Sequence, residues 1–185
     1  MATTIDDTQR KATIAHKQEA KKDTWQTPPK LIDIIESHVN IDLDPCAGKD
    51  TMIGDENIRL PRNGKAYEWS GTVFVNPPFS NKSDWLQKAV EEYQSGNTDL
   101  IIFLTPDSTD VKSWYHKYIV EHAEYTWFSY GRIDYIDPTK DEEENEKTSG
   151  ATFGTALSFF GDVPESLLKE LNENGDLVKR KLFDE

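Results

Sequence analysis

The stretch Gly71-Thr72-Val73-Phe74-Val75-Asn76-Pro77-Pro78-Phe79 decides the fold. GTVFV has the apolar, partly β-branched run of a strand buried on both faces. Two prolines in succession cannot continue a central strand, because proline lacks the N–H that the ladder needs and restricts the residue before it. The strand therefore stops at Asn76, and the next residues form a rigid, extended turn at its carboxyl end. Such a turn presents the Asn76 side chain and the Pro77 carbonyl as acceptors to one amino group. Phe79, two steps later, is placed to stack on a flat ring. Together they suit an exocyclic amine held in plane. The competing reading is a tight turn with Phe79 packed in the core.

Outward from this turn, helical and strand periods alternate. Leu31, Ile34, Ile35 and Val39 form a helical stripe after Pro28 and Pro29, which suit a helix start, and residues 39–43 read as a short strand. Ser83 or Asp84 can cap a helix with the stripe Trp85, Leu86, Ala89, Val90 and Tyr93, closed near Gly96. Leu100 to Leu104 (LIIFL) is the most apolar strand. Val111, Trp114, Tyr115, Tyr118 and Ile119 form another helical face. Two strands, at 125–130 and 152–160, flank a segment without an apolar residue, and Leu167, Leu168 and Leu171 mark a last amphipathic helix. The order predicts an α/β fold: a Rossmann-like, open and mainly parallel sheet with helices on both faces and a C-terminal β-hairpin. In such sheets ligands bind outside the carboxyl ends of the strands. Residues 43–48, 76–80 and 105–107 should therefore meet on one edge.

The chain has 185 residues, one cysteine, and 34 acidic against 21 basic side chains, for a net charge of -13. This length suits one domain, expected over residues 23–185 behind a basic arm at 1–22. The arm holds Arg10, Lys11, Lys17, Lys21 and Lys22, whereas Asp137 to Gly150 (DPTKDEEENEKTSG) reads as an acidic surface loop. No run approaches the roughly 18 apolar residues of a membrane span, and no signal peptide is visible. The expectation is a soluble, cytoplasmic protein. A lone Cys46 excludes a disulfide framework, and His16, His38, His116 and His122 show no metal spacing. Gly48-Lys49 is not a phosphate loop, because Leu43 stands where a glycine belongs and Asp50 where Ser or Thr belongs. Acidity of this size argues against nucleic acid, whose binding is dominated by phosphate electrostatics.

The motifs argue the other way. Asp/Asn-Pro-Pro-aromatic is the signature of S-adenosylmethionine-dependent amino-methyltransferases, and the rest of the pattern narrows the match. Asp23-Thr24-Trp25-Gln26-Thr27-Pro28 is followed by Leu43-Asp44-Pro45-Cys46-Ala47-Gly48, then by Trp69-Ser70-Gly71 leading into Asn76-Pro77-Pro78-Phe79-Ser80. Leu104-Thr105-Pro106-Asp107-Ser108-Thr109, Gly131-Arg132-Ile133 and Phe153-Gly154-Thr155-Ala156-Leu157 complete the order. Over residues 23–161 the chain resembles the phage-type, Dam-like DNA N6-adenine methyltransferases.

That resemblance implies methylation of adenine N6 in double-stranded DNA, with S-adenosylmethionine as cofactor and no metal. Asn76 and Pro77 would accept from the adenine amine, and Phe79 would stack on the base after it is flipped from the duplex. Pro78, Ser80 and Asp107 would line the substrate side. Asp44, Pro45, Cys46 and Gly48 would form the cofactor turn, Trp25, Thr27 and Pro28 the N-terminal cofactor element, and Asn76 would border the cofactor too. Only one glycine remains of the usual glycine-rich turn. An RNA adenine or a protein glutamine offers a similar planar amine, and a non-catalytic phage binding protein would also account for the eroded turn. Cys46 reads as a small filler rather than a nucleophile, Trp114 as core, and Asp107 as either a helix cap or an edge residue. DNA would approach through the stretch Arg10 to Lys30 and through Arg59, Arg62, Lys65 and Lys82, with the acidic loop lying away from the phosphates or moving aside. Sequence readout would fall to the short loops 50–68 and 137–150.

Overall fold

The computed structural model describes residues 23–147 and 151–180; the basic arm expected at 1–22 lies outside them. Seven strands form one sheet: β1 (Leu43–Asp44), β2 (Glu56–Asn57), β3 (Gly71–Val75), β4 (Thr98–Pro106), β5 (Tyr125–Ser129), β6 (Thr155–Gly161) and β7 (Gly175–Lys179). Their spatial order is β2-β1-β3-β4-β6-β5-β7. The first four neighbours pair in parallel, β6 runs antiparallel to β4 and β5, and β7 runs antiparallel to β5. β5 therefore points the same way as β1, β3 and β4.

Alternation along β3 and β4 builds a core on each face. Val73, Val75, Ile101 and Phe103 face α2 (Lys82–Ser95) and a π-helix (Lys112–Val120). Phe74, Leu100, Ile102 and Leu104 face α1 (Pro29–Glu36) and α4 (Glu165–Glu173). Helices thus cover both faces, as the sequence predicts. α1 starts with Pro29 at its first position and buries Leu31, Ile32 and Ile35. α2 ends where Gly96 takes φ +75, in the left-handed region that glycine enters without strain. At the start of β3, Gly71 has φ +66, and a Cβ there would come within 2.2 Å of the Asp42 carboxylate.

Several local expectations need correction. The first strand is Leu43–Asp44 rather than 39–43. Ser83 and Asp84 do not cap α2: a short 3-10 turn, Phe79–Asn81, runs directly into it, and Asn81 is the cap position without a side-chain bond. The stripe at 111–119 folds as a π-helix, in which the His116 N–H reaches back to the Val111 carbonyl at 3.3 Å. The residues 114, 115, 118 and 119 still share a face at that wider period. The expected hairpin is present as the antiparallel β5–β6 pair, but β7 follows it and pairs with β5. The loop at 137–150 contains α3 (Glu142–Lys147), begun by the Asp141 carboxylate accepting from the Glu144 N–H at 2.8 Å.

Candidate active site at the carboxyl edge of the sheet

β1 has β2 on one side and β3 on the other, so the chain's path across the sheet reverses between β1 and β3. This is the switch point where an open parallel sheet leaves a crevice. The turn 45–48 leaves β1 there, the turn 76–80 leaves β3, and Asp107 follows β4. The three segments expected to share an edge do so.

Residues 23–28 form a strap across this edge. The Asn76 side-chain amide donates to the Trp25 carbonyl at 3.0 Å and to Thr27 Oγ1 at 3.1 Å. Asp23 accepts from the Ser80 N–H at 2.9 Å and from the Ser80 hydroxyl at 2.6 Å. Gln26 makes a two-way backbone bridge with Ile136, at 2.9 and 3.1 Å. The Gln26 side chain also lies over the β1 turn: a Cβ on Gly48 would sit 3.2 Å from its amide nitrogen. Within the turn after β3, Asn81 N–H bonds the Pro78 carbonyl at 3.0 Å, which leaves the Pro77 carbonyl outside that bond.

Phe79 is 2% exposed and belongs to a core cluster. Its ring meets Phe153 edge-on at 5.4 Å and Tyr135 at 6.0 Å, while Trp25 stacks on Phe153 at 6.3 Å and tilts against Tyr135 at 5.8 Å. Four aromatic rings thus gather beside Asn76, and Phe79 is the deepest of them.

Asp44 is 3% exposed and accepts from the Cys46 N–H at 3.0 Å. Burial pushes its carboxyl up to about 7. Burial, with the neighbouring Asp44 carboxylate, also holds the Cys46 thiol well above its ordinary range, so the thiolate needed for nucleophilic attack is disfavoured. Asp44 and Cys46 shape the turn; Pro45 is buried beside Asp44, and Cys46 is half-buried. A Cβ on Gly64 would fall 1.8 Å from the Pro45 carbonyl, so the segment after β2 packs directly on this turn. Asp107 is exposed and caps nothing: the π-helix has Val111 at its cap position. Its carboxylate lies over Gly154, where a Cβ would come within 2.0 Å of it, and its N–H bonds the Gly154 carbonyl at 2.9 Å.

Of the cations expected to meet DNA, the four that follow Lys30 in the chain are already engaged. Arg59 donates to the Gly48 and Thr51 carbonyls, Arg62 to Tyr67 and Glu56, and Lys65 to Asp84. Lys82 is 8% exposed and donates to the Phe79 carbonyl at 2.8 Å. Lys49 after β1 and Arg132 after β5 are exposed at the carboxyl edge instead; position relative to a strand end was the signal for them. The acidic segment with α3 also leaves from this edge, since it joins the end of β5 to the start of β6. Gln26, Tyr135 and Phe153 also stand at this edge without a role expected for them, because nothing local in the sequence shows that the 130–154 connection folds back onto the strap at 23–28.

A groove of about 510 Å³ lies elsewhere, lined by Tyr115, Ile119, Tyr125, Phe128 and Val178 among others, and shares no residue with this edge. Among the described residues no three His, Cys, Asp or Glu side chains gather as a metal site, and no helix is long and apolar enough to cross a membrane.

A sequence profile described as DNA N-6-adenine-methyltransferase (Dam) matches residues 14–163. A DNA N-6-adenine-methyltransferase of Haemophilus phage HP1 is 25% identical over 172 residues, 89% of this chain and 98% of the relative. One of Escherichia phage T1 is 25% identical over 131 residues, 69% of this chain and 51% of the relative. A solved chain described as an RNA methyltransferase, from Pyrococcus horikoshii, covers 60% of this chain and 52% of its own length at TM-score 0.37 and 14% identity, too loose a likeness to bear on the argument. The switch-point turn, the order of motifs around it and a profile match spanning most of its length make this chain a member of the DNA N-6-adenine-methyltransferase (Dam) family.

Proposed function

We propose that this protein transfers a methyl group from S-adenosylmethionine to the N6 amino group of adenine in double-stranded DNA. The observation that carries the reading is the Asn76-Pro77-Pro78-Phe79 turn at the carboxyl end of β3, beside the β1 turn at the switch point. Asn76 Oδ1 and the Pro77 carbonyl would accept the two amino hydrogens of adenine. Accepting both keeps density on the nitrogen and fixes the direction in which its lone pair points. S-adenosylmethionine, when bound, supplies the electrophilic methyl. The donor set fits such a group: the backbone turn 45–48, the Gln26 amide and the ring faces of Trp25, Tyr135 and Phe153 suit a polar chain, a flat base and a sulfonium cation. Thr27 and Pro28 serve this cofactor element through the strap rather than from the turn itself.

Phe79, buried as it is, would stack on the flipped adenine only if Phe153 swings from its edge; otherwise Phe153 and Trp25 are the stacking partners. Pro78, Ser80 and Asp107 would border the base. Duplex DNA would meet the edge near Lys49 and Arg132, and a cytoplasmic location goes with that partner.

Nucleoside mass spectrometry on DNA and RNA from cells expressing the chain, in a strain lacking its own adenine methylation, tests the reading. N6-methyl-2′-deoxyadenosine in DNA is the expected result. Methyl groups confined to RNA, or absent from both nucleic acids and found on glutamine in a proteolytic digest of the same cells, would replace the acceptor. No product, together with no heat of S-adenosylmethionine binding, would replace the enzyme with a binding protein.

A further inference from the structure

We propose that Thr27 and the Trp25 carbonyl act as an orienting pair for Asn76, and that this pair makes asparagine, rather than aspartate, the working residue at that position. The inference rests on the reading of Asn76 as an acceptor for the target amine.

An amide side chain can flip with almost no change in shape, which exchanges an acceptor for two donors. Here the flip is decided. A backbone carbonyl can only accept, so the atom of Asn76 that faces the Trp25 oxygen at 3.0 Å must be nitrogen. Its second N–H is taken by Thr27 Oγ1 at 3.1 Å, and Thr27 is 6% exposed, so water does not compete freely. Both donors are therefore used on the strap side, and Oδ1 is turned away from it. In the flipped state two oxygens would face each other across about the same gap, and NH2 would meet NH2 at the target.

The strap is itself held on either side of this pair. Asp23 binds Ser80 within the same turn as Asn76, and Gln26, between Trp25 and Thr27, is bridged to Ile136. Thr27 is thus a positioning residue for Asn76 within the N-terminal cofactor element. An aspartate at position 76 would set a carboxylate oxygen against the Trp25 carbonyl. It would hold the same pose only when protonated, as a donor to Trp25 and an acceptor toward the amine.

Steady-state methyl transfer from tritiated S-adenosylmethionine to duplex DNA tests this on the full chain. For Thr27→Val, kcat should fall on the order of tenfold to a hundredfold, while both KM values and the melting temperature stay close to those of the parent. Thr27→Ser, which keeps the hydroxyl, should restore most of the rate. Without cofactor, the Asn76 side-chain NH2 signals in an asparagine-labelled NMR spectrum should be protected from water exchange in the parent and lose that protection in Thr27→Val. Asn76→Asp, which changes no residue of the strap itself, should be inactive at pH 8 and gain activity as the pH is lowered. An Asn76→Asp variant as active as the parent at pH 8, or unchanged kcat and protection in Thr27→Val, overturns the inference. If those results come with an inactive Asn76→Ala, only the orienting role fails. An active Asn76→Ala means that the reading of Asn76 itself has failed.

Discussion

Asp23 accepts two hydrogen bonds from Ser80, 57 residues along the chain: the backbone N–H at 2.9 Å and the hydroxyl at 2.6 Å. The N–H is among the first of a 3-10 turn that leads into α2, where a helix start leaves donors without partners. Asp23 thus caps from outside the helix and fastens the strap to the turn that carries Asn76. Hydrogen bonds to a charged acceptor are the stronger kind, so Asp23→Ala should cost about 2 kcal/mol of stability. It should also lower methyl transfer by more than the loss of folded protein explains. Chemical denaturation beside initial rates, both below the melting transition, checks the two effects.

Burial pushes the Asp44 carboxyl up from its ordinary 3.8 to about 7. Between those values the folded chain keeps a proton that the unfolded chain has released, so Asp44 makes stability fall as pH rises through that window. The full penalty above pH 7 is roughly 4 kcal/mol. Asp44→Asn retains an acceptor for the Cys46 N–H and has no charge to bury. Its melting temperature should exceed that of the parent at pH 8, with the gap closing toward pH 4. A constant gap across that range would show that Asp44 is not titrating there.

The Asp107 carboxylate fills the space a side chain at Gly154 would need, within 2.0 Å of a Cβ placed there. Gly154→Ala should therefore lower the melting temperature, and adding Asp107→Ala should restore it. If Asp107 borders the base as well, the double variant regains stability without regaining KM for DNA. Melting curves and DNA titrations on the four chains separate the two effects.

Much of this was legible beforehand because it is local. The buried run LIIFL, the stop at Asn76-Pro77-Pro78 and the left-handed Gly96 each act within a few residues, so the sheet and its carboxyl edge could be read directly. β7 was not legible: GDLVK has two apolar residues and half of its pairing partners, as an edge strand does. Asp23–Ser80, Trp25–Asn76 and Gln26–Ile136 join positions far apart in the chain, and no periodicity marks them. The four cations chosen for DNA were judged by charge alone, whereas each had found a carbonyl, hydroxyl or carboxylate nearby.

The net charge of -13 becomes a question of what stands at the edge. Lys49 and Arg132 are exposed there, and so is the acidic start of α3, Glu142 to Glu144. Lys49→Ala or Arg132→Ala should weaken duplex binding and each reduce the salt slope by about 1. Glu142→Gln, Glu143→Gln and Glu144→Gln together should strengthen it, by removing like charge from the approach. Arg59→Ala should instead loosen the 48–52 segment and lower the melting temperature. Fluorescence anisotropy with labelled duplex across a salt series gives all of these.

The role proposed for Asn76 is to present its oxygen to the adenine amine from a turn fixed at the end of β3. Tritium transfer from S-adenosylmethionine to duplex DNA by Asn76→Ala, beside the parent chain, tests it most directly. Loss of transfer by a variant that still unfolds cooperatively is the expected result; transfer at the parental rate would mean that Asn76 does not hold the amine.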